Sequence, residues 1–329
     1  MAEIAFSFAI ALAVTALSGL FLLPALRRLK FGQSIREEGP KWHMSKSGTP
    51  TMGGIMFIAG ILPAIAIVGR AYMGQGDYSH FVIFGFALVF GGIGFIDDFF
   101  KVRKKQNLGL TSIQKLGLQL AVSAAFIALL RYMGYLTTDI YVPFFDVTLR
   151  LDMLAYTLLA LPVVAGMVNA VNLTDGVDGL CTGVTLPVAV FFTAIAFLWN
   201  RGGLTVFSAA LAGALVGFLI YNFHPAKVFM GDTGSLFLGG AVCGMAFVSG
   251  VPLLMIIVGA AYIWEMVSVI LQVLYFKLTK GKRLFKMSPF HHHLEMKGWG
   301  EIAICAAFFA ATVALGILAW VGVSNYLNV

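Results

Sequence analysis

The sequence predicts an all-α, polytopic membrane bundle of ten transmembrane helices with both termini outside. Three observations carry this expectation. The 329 residues are 60% hydrophobic and only 11% charged, with a mean hydropathy of +0.91. A soluble domain of this size would lack a polar shell to cover its core. Apolar stretches close to the roughly 20 residues that cross a bilayer as a helix recur along the chain. The cations are segregated: all but four of the 22 Lys and Arg lie in alternate connections between those stretches.

The spans are expected near 4–26, 53–69, 81–97, 116–133, 154–171, 181–199, 204–222, 234–250, 253–276 and 301–325. The first has no small-residue cleavage pattern behind a short apolar core, so it reads as a retained span rather than a signal peptide. The 37 Gly and 29 Phe suit closely packed membrane helices. Spans eight and nine are separated only by Ser249-Gly250-Val251-Pro252, a tight turn. Glu265, inside the ninth span, is read as the mark of a kink. The segment 134–152, with Val142-Pro143 and alternating apolar residues, predicts a short external hairpin. No period of 20–50 residues appears, so residues 1–329 read as a single integral-membrane domain. Cys181, Cys243 and Cys305 lie in or beside apolar runs without ligand spacing, which argues against a disulfide framework.

Orientation follows from the cations. Arg70, Arg131, Arg150 and Arg201 alone fall outside the odd-numbered connections, which are therefore cytoplasmic. Asp97, Asp98, Asp175, Asp178 and Asp232 all lie at span ends on this cationic side. Carboxylates at a membrane boundary are costly unless something pairs with them. Five of them facing basic loops suggest a divalent metal and a phosphate-bearing substrate.

Each connection adds chemistry. The first holds Lys46 beside Gly48, and Thr51 as a candidate cap of the next helix. Asp97 and Asp98 point about 100° apart on a helix, so one can hold a metal while the other acts as a base. Against this stands a plain surface pair of Asp97 with Lys101 at i+4. The third connection, from Asn169 to Gly179, carries two Asn and two Asp, and a helix cap accounts for only one of the acids. Asp232 stands between Gly231 and Gly234 just before a helix. It is either a cap or a ligand where backbone N–H groups and a helix start favour a metal–phosphate pair. Phe229 either stacks on a base or anchors in lipid. His291-His292-His293 sit in a loop carrying six Lys and Arg. Consecutive histidines do not match helical zinc spacing, so they read as donors to phosphate, led by His291.

Segments 46–54, 91–110, 169–180, 222–240 and 287–299 resemble the signature stretches of the phospho-N-acetylmuramoyl-pentapeptide transferase family. That family belongs to the polyprenyl-phosphate N-acetylhexosamine-1-phosphate transferases. The Asp97-Asp98 pair, Asn172-x-x-Asp175-Gly-x-x-Gly179 and Gly231-Asp232 are similar to motifs of the whole superfamily, and Pro289–Glu295 to one of the muramoyl-pentapeptide branch. The resemblance spans essentially the whole chain. It implies UDP-N-acetylmuramoyl-pentapeptide and undecaprenyl phosphate as substrates, Mg2+ as cofactor, and lipid I and UMP as products. It also implies a bacterial inner membrane location with a cytoplasmic site, in peptidoglycan precursor synthesis. Asp232 is then the leading metal ligand, with Asp97 and Asp98 as further ligands, one of them serving the lipid phosphate. Asn172, Asp175, Asn222 and Phe229 fall on the nucleotide side. Lys46, Thr51, Lys105, Asp178, Gln272, His291 and His292 are substrate contacts, and His291 joins the three acids as a catalytic residue. A homodimer is compatible with the sequence, and nothing in it points to nucleic acid.

Two rival readings remain. A sister transferase would use UDP-N-acetylglucosamine with a polyprenyl phosphate. A transporter would also have many spans, but its polar site should lie near the bilayer midplane on broken helices.

Overall fold

The structure, a computed structural model, describes residues 1–28, 46, 48–104, 109–324 and 326. Helices α1 (Ala2–Arg28), α2 (Gly54–Val68), α3 (Arg70–Met73), α4 (Ser79–Lys104) and α5 (Ser112–Tyr132) come first. A hairpin of β1 (Asp139–Val142) and β2 (Val147–Arg150) follows, then α6 (Met153–Thr174), α7 (Leu180–Leu198), α8 (Gly202–Asn222) and α9 (Gly231–Val248). The chain closes with α10 (Leu254–Val258), α11 (Ala260–Leu278), α12 (Phe290–Glu295) and α13 (Glu301–Gly322). Among the described residues nine helices are long and apolar enough to cross a membrane. The protein is a polytopic helical membrane bundle.

Two elements depart from the expected spans. The second, α2, has only 15 residues, about 22 Å at 1.5 Å per residue. The short α3 extends it beyond Gly69. The ninth expected span is broken at Gly259, which ends α10 and opens α11. The break is therefore at a glycine, where backbone freedom is greatest, and not at Glu265, which lies inside α11. The expected hairpin is present, with Asp139 opposite Arg150 and Val142 opposite Val147 in antiparallel register.

Local signals account for several boundaries. Thr111 and Gln114 form a reciprocal capping box at the start of α5. Asp152 caps α6 by accepting from the N–H groups of Leu154 and Ala155. Thr51 does not cap α2: the cap position is Gly53, without a side-chain bond.

The core lies around α9, which packs along α4 and also against α6 and α2. Its apolar window is 89% buried, against 28% for α1 and 22% for α13. The outer helices expose apolar faces such as Phe6, Leu17 and Phe21, which suit a lipid environment. Small residues permit the close approach inside. A Cβ on Gly54 would fall 2.3 Å from the Cα of Gly234, and one on Gly94 would fall 2.0 Å from the carbonyl oxygen of Asp232. These contacts bring α2 and α4 against the first turn of α9, which decides where three carboxylates meet.

At the opposite end, Asp77 accepts from the N–H groups of Ser79 and Gly203 at 2.9 and 2.8 Å and from Tyr135 Oη at 3.3 Å. One carboxylate thereby joins the starts of α4 and α8 to the chain after α5.

Candidate active site

Asp97, Asp98 and Asp232 converge. Each offers a carboxylate oxygen, and these atoms lie within 4.8 Å of one another. Asp97 and Asp98 are buried in the last turns of α4, and Asp232 is partly exposed in the first turn of α9.

The three acids do different work. Asp98 reaches across to the start of α9. Its Oδ1 accepts from the N–H of Asp232 at 3.2 Å, and its Oδ2 from the N–H and hydroxyl of Thr233 at 2.9 and 2.7 Å. It satisfies helix N-terminal donors from a neighbouring helix, a capping role played in trans. Asp97 accepts from the N–H of Leu110 at 2.7 Å and pairs with Lys101 Nζ at 2.6 Å. The expected i+4 pair therefore forms, but the same lysine also reaches Asp232 at 2.9 Å. The pair is part of the cluster rather than an alternative to it.

Asp232 does not cap α9; the cap position is Met230. Its Oδ2 accepts from Lys101 at 2.9 Å and Lys115 at 2.8 Å, and its Oδ1 from Asn172 Nδ2 at 2.9 Å. Asn172 also donates to Ser235 Oγ at 2.7 Å, so α6 is tied to α9 at this point. Gly234 does not present a free N–H group as expected. The N–H of Gly234 bonds the carbonyl of Met230, and Gly234 packs against Gly54.

The donor set fits a hard divalent cation. Three carboxylates supply oxygen ligands of the kind Mg2+ prefers, and two ammonium groups only partly balance them. Asp175, at the end of α6, lies in the negative field of the cluster. Burial, with Asp232, Asp98 and Asp178 nearby, raises its pKa well above the ordinary carboxylate range and favours its neutral form.

A second polar group lies beside the first. Lys46 Nζ pairs with Asp178 at 2.7 Å and Glu301 at 2.6 Å. The other oxygen of Asp178 accepts from the N–H of Ala226 at 2.9 Å and meets His224 Nδ1 at 3.0 Å. Burial disfavours the Lys46 charge, but hydrogen bonds to Asp178 and Glu301 outweigh it, and the lysine pKa is raised. Neither Asp175 nor Asp178 caps α7, whose cap position is Gly179 with a left-handed φ of 74°.

The remaining expected site residues are dispersed. Asn222 is buried, accepting from Thr182 Oγ1 at 2.9 Å and donating to the carbonyl of Val228 at 3.1 Å. Phe229 is half-buried, its backbone paired with Pro50 and Gly53 at 2.9 and 2.8 Å. Thr51 is buried, its hydroxyl against Gly231. Gln272 accepts from the N–H of Phe285 at 2.8 Å and lines an open cleft of about 370 Å³ with Phe276, Lys277 and Arg283. Lys105 lies outside the described residues.

The histidine run forms the short helix α12, not a loop, and its rings diverge. His291 is fully buried, with Nδ1 at 3.0 Å from Glu265. His292 Nδ1 meets Glu295 at 2.6 Å. His293 Nδ1 accepts from the N–H of Lys286 at 3.0 Å. Nε2 of His291 faces Gly176, where a Cβ would lie 2.1 Å away. Gly176→Ala should therefore displace either the ring or the loop carrying Asp175 and Asp178. Turnover should fall on the order of 10²-fold, as for comparable misplacements of site groups. Wild-type turnover in a steady-state assay of Gly176→Ala would show that this contact does not matter.

Sequence reasoning undervalued Lys115, Thr233, Glu301 and His224. They lie 46 to 255 positions from their partners along the chain, and no local pattern marks them. Lys101 alone had a signal, its i+4 spacing from Asp97.

Comparison with known proteins places the chain among its relatives. Residues 80–250 match the family model described as glycosyl transferase family 4. Residues 46–58 match phospho-N-acetylmuramoyl-pentapeptide-transferase signature 1. The chain is 46% identical to the phospho-N-acetylmuramoyl-pentapeptide-transferase of Clostridium acetobutylicum over 322 residues, 97% of this chain and 99% of that protein. It is 46% identical to that of Bacillus subtilis over 318 residues, 96% of each. It is 47% identical to that of Heliobacterium modesticaldum over 321 residues, 97% and 98%.

Proposed function

The chain belongs to the phospho-N-acetylmuramoyl-pentapeptide transferase family, and from that premise we propose how its residues divide the reaction. The enzyme transfers phospho-N-acetylmuramoyl-pentapeptide from its UDP conjugate to undecaprenyl phosphate, giving lipid I and UMP in peptidoglycan synthesis. Residues 1–329 act as one integral-membrane domain with ten spans. The termini lie outside, and the site faces the cytoplasm of a bacterial inner membrane. The cations support this orientation, since the cluster sits at the end of the bundle where Lys46, Lys101 and Lys115 lie.

One observation carries the division of roles: α4 and α9 bring three carboxylates and two lysines to a single point at the cationic end. Phosphoryl transfer between two anions needs charge neutralisation and in-line positioning more than covalent chemistry. Asp232, with Asp97 and Asp98, would hold Mg2+, which when bound supplies Lewis-acid neutralisation of the diphosphate. Lys101 and Lys115 offset the same phosphate charge directly. Asp98 is committed to the start of α9, so Asp97 is the acid that orients the lipid phosphate or takes its proton. Asn172, Asp175, Asn222 and Phe229 shape the nucleotide side. Lys46, Thr51, Lys105, Asp178, Gln272, His291 and His292 serve as substrate contacts. The two substrates and the bilayer are the partners, and assembly as a homodimer is compatible with this site.

Purified protein with undecaprenyl phosphate and Mg2+ should release UMP from UDP-N-acetylmuramoyl-pentapeptide and none from UDP-N-acetylglucosamine. UMP from the second donor alone would assign the chain to the sister transferases. UMP from neither would contradict the reading.

A further inference from the structure

Glu265 is a carboxylate inside a membrane-spanning helix, fully buried, and absent from the roles above. Among the described residues, every hydrogen bond to that carboxylate comes from one residue. The backbone N–H of His291 donates to Oε1 at 3.2 Å and more weakly to Oε2 at 3.4 Å, and Nδ1 of the same residue lies 3.0 Å from Oε2. A buried carboxylate is expensive, and it is retained where its position is needed. Here it anchors both the first turn of α12 and the ring orientation of His291, across a separation of 26 residues.

With Nδ1–H committed to Glu265, the ring has one polar atom left. Nε2 is buried and has no hydrogen-bond partner among the described residues. An orphaned polar atom of this kind costs about 1–3 kcal/mol, so it calls for a partner in the working protein. It points at Gly176, in the connection that carries Asp175 and Asp178. A histidine whose one nitrogen is fixed by a carboxylate and whose other faces a reacting centre is a recurrent arrangement, because the carboxylate sets tautomer and direction together.

We infer that Glu265 is a positioning residue, acting through His291 to aim Nε2 at the substrate side of the Asn172–Gly179 connection. The inference rests on the transferase reading, since the atom that completes Nε2 belongs to the bound substrate. The ring contributes only when held in this orientation, so removing Glu265 should cost as much as removing the ring itself.

A double-mutant cycle with Glu265→Ala and His291→Ala tests it, with Glu265→Gln as the conservative variant. Each alanine variant should lower kcat on the order of 10²-fold, as losing a transition-state donor does. The double variant should lose little more than either single one, because the two residues act as a unit. KM for the UDP substrate should change less than about threefold, since the interaction is made chiefly in the transition state. Glu265→Gln keeps one acceptor oxygen and should recover part of the loss. Multiplicative losses in the double variant would overturn the inference. So would a lowered melting temperature with kcat retained, or a loss confined to KM. If Glu265→Ala does not fold, the cycle is run with Glu265→Gln, which decides the point by the same additivity. Wild-type UMP release in the same assay carries the transferase reading, while the ratios between variants carry the role of Glu265.

Discussion

Asp232→Asn is expected to abolish turnover while leaving the fold intact. The carboxylate is where the cluster's charges meet: Lys101, Lys115 and Asn172 all donate to it. Its backbone, not its side chain, starts α9, and its side chain caps nothing. The stability cost should therefore be limited to lost interaction with the helix dipole and the lysines, on the order of 1 kcal/mol. Catalysis should suffer far more. Metal binding and charge stabilisation at a phosphoryl centre contribute several kcal/mol, and each 1.36 kcal/mol is tenfold in rate, so a loss of about 10³-fold or greater is expected. Near-normal kcat at saturating Mg2+, with an unchanged melting temperature, would remove Asp232 from the reaction.

Asp98→Asn should damage both stability and rate, and this separates it from Asp97→Asn. An amide replaces one oxygen by a donor, and both Asp98 oxygens already face donors at the start of α9. At least one N–H would lose its acceptor, at about 1–3 kcal/mol for a buried charge-assisted bond. The first turn of α9 carries Asp232, so loosening it also moves the metal ligand. We expect a lower melting temperature together with a fall in kcat of about 10²-fold or more. Asp97→Asn should lower kcat with a smaller change in melting, since its partners are one loop N–H and Lys101. Both variants should bind the UDP substrate nearly normally, measured by titration calorimetry with UDP-N-acetylmuramoyl-pentapeptide. A variant whose main defect is weak nucleotide binding with kcat retained would refute this assignment.

The difference between the paired acids shows where sequence reading stops. Adjacent positions at a span end made both candidates for chemistry, and helical geometry said only that they diverge by about 100°. Which one meets α9 depends on the crossing of α4 and α9. That crossing is set by Gly94 against the Asp232 carbonyl, and no local pattern encodes it. Capping as the role of Asp232 and Asp178 failed for a related reason. Asp232 accepts from lysines of α4 and α5, and Asp178 from Lys46 and the N–H of Ala226, all distant along the chain, rather than from its own helix start.

The His291–His293 run was legible as a feature of interest and misread in placement. A basic loop suggested open imidazoles facing the cytoplasm. The structure instead winds the run into α12 and buries His291 against Glu265. Glu265 itself was legible as an anomaly, a carboxylate within an apolar span. Its partner lies 26 residues away, so the sequence pointed only to a kink, which in fact occurs at Gly259.

The chain's sequence by itself determined the membrane class, nearly all the helices, the hairpin and the end of the bundle where the acids gather. Those properties follow from composition, from apolar length against bilayer thickness and from the segregation of cations, which are local or additive quantities. Only the tertiary structure decided which carboxylates share an ion-sized space, which lysines neutralise them, and which nitrogen of His291 has no hydrogen-bond partner among the described residues. Those outcomes depend on close contacts between helices distant along the chain. Small residues permit such contacts, but side-chain packing and electrostatics select them.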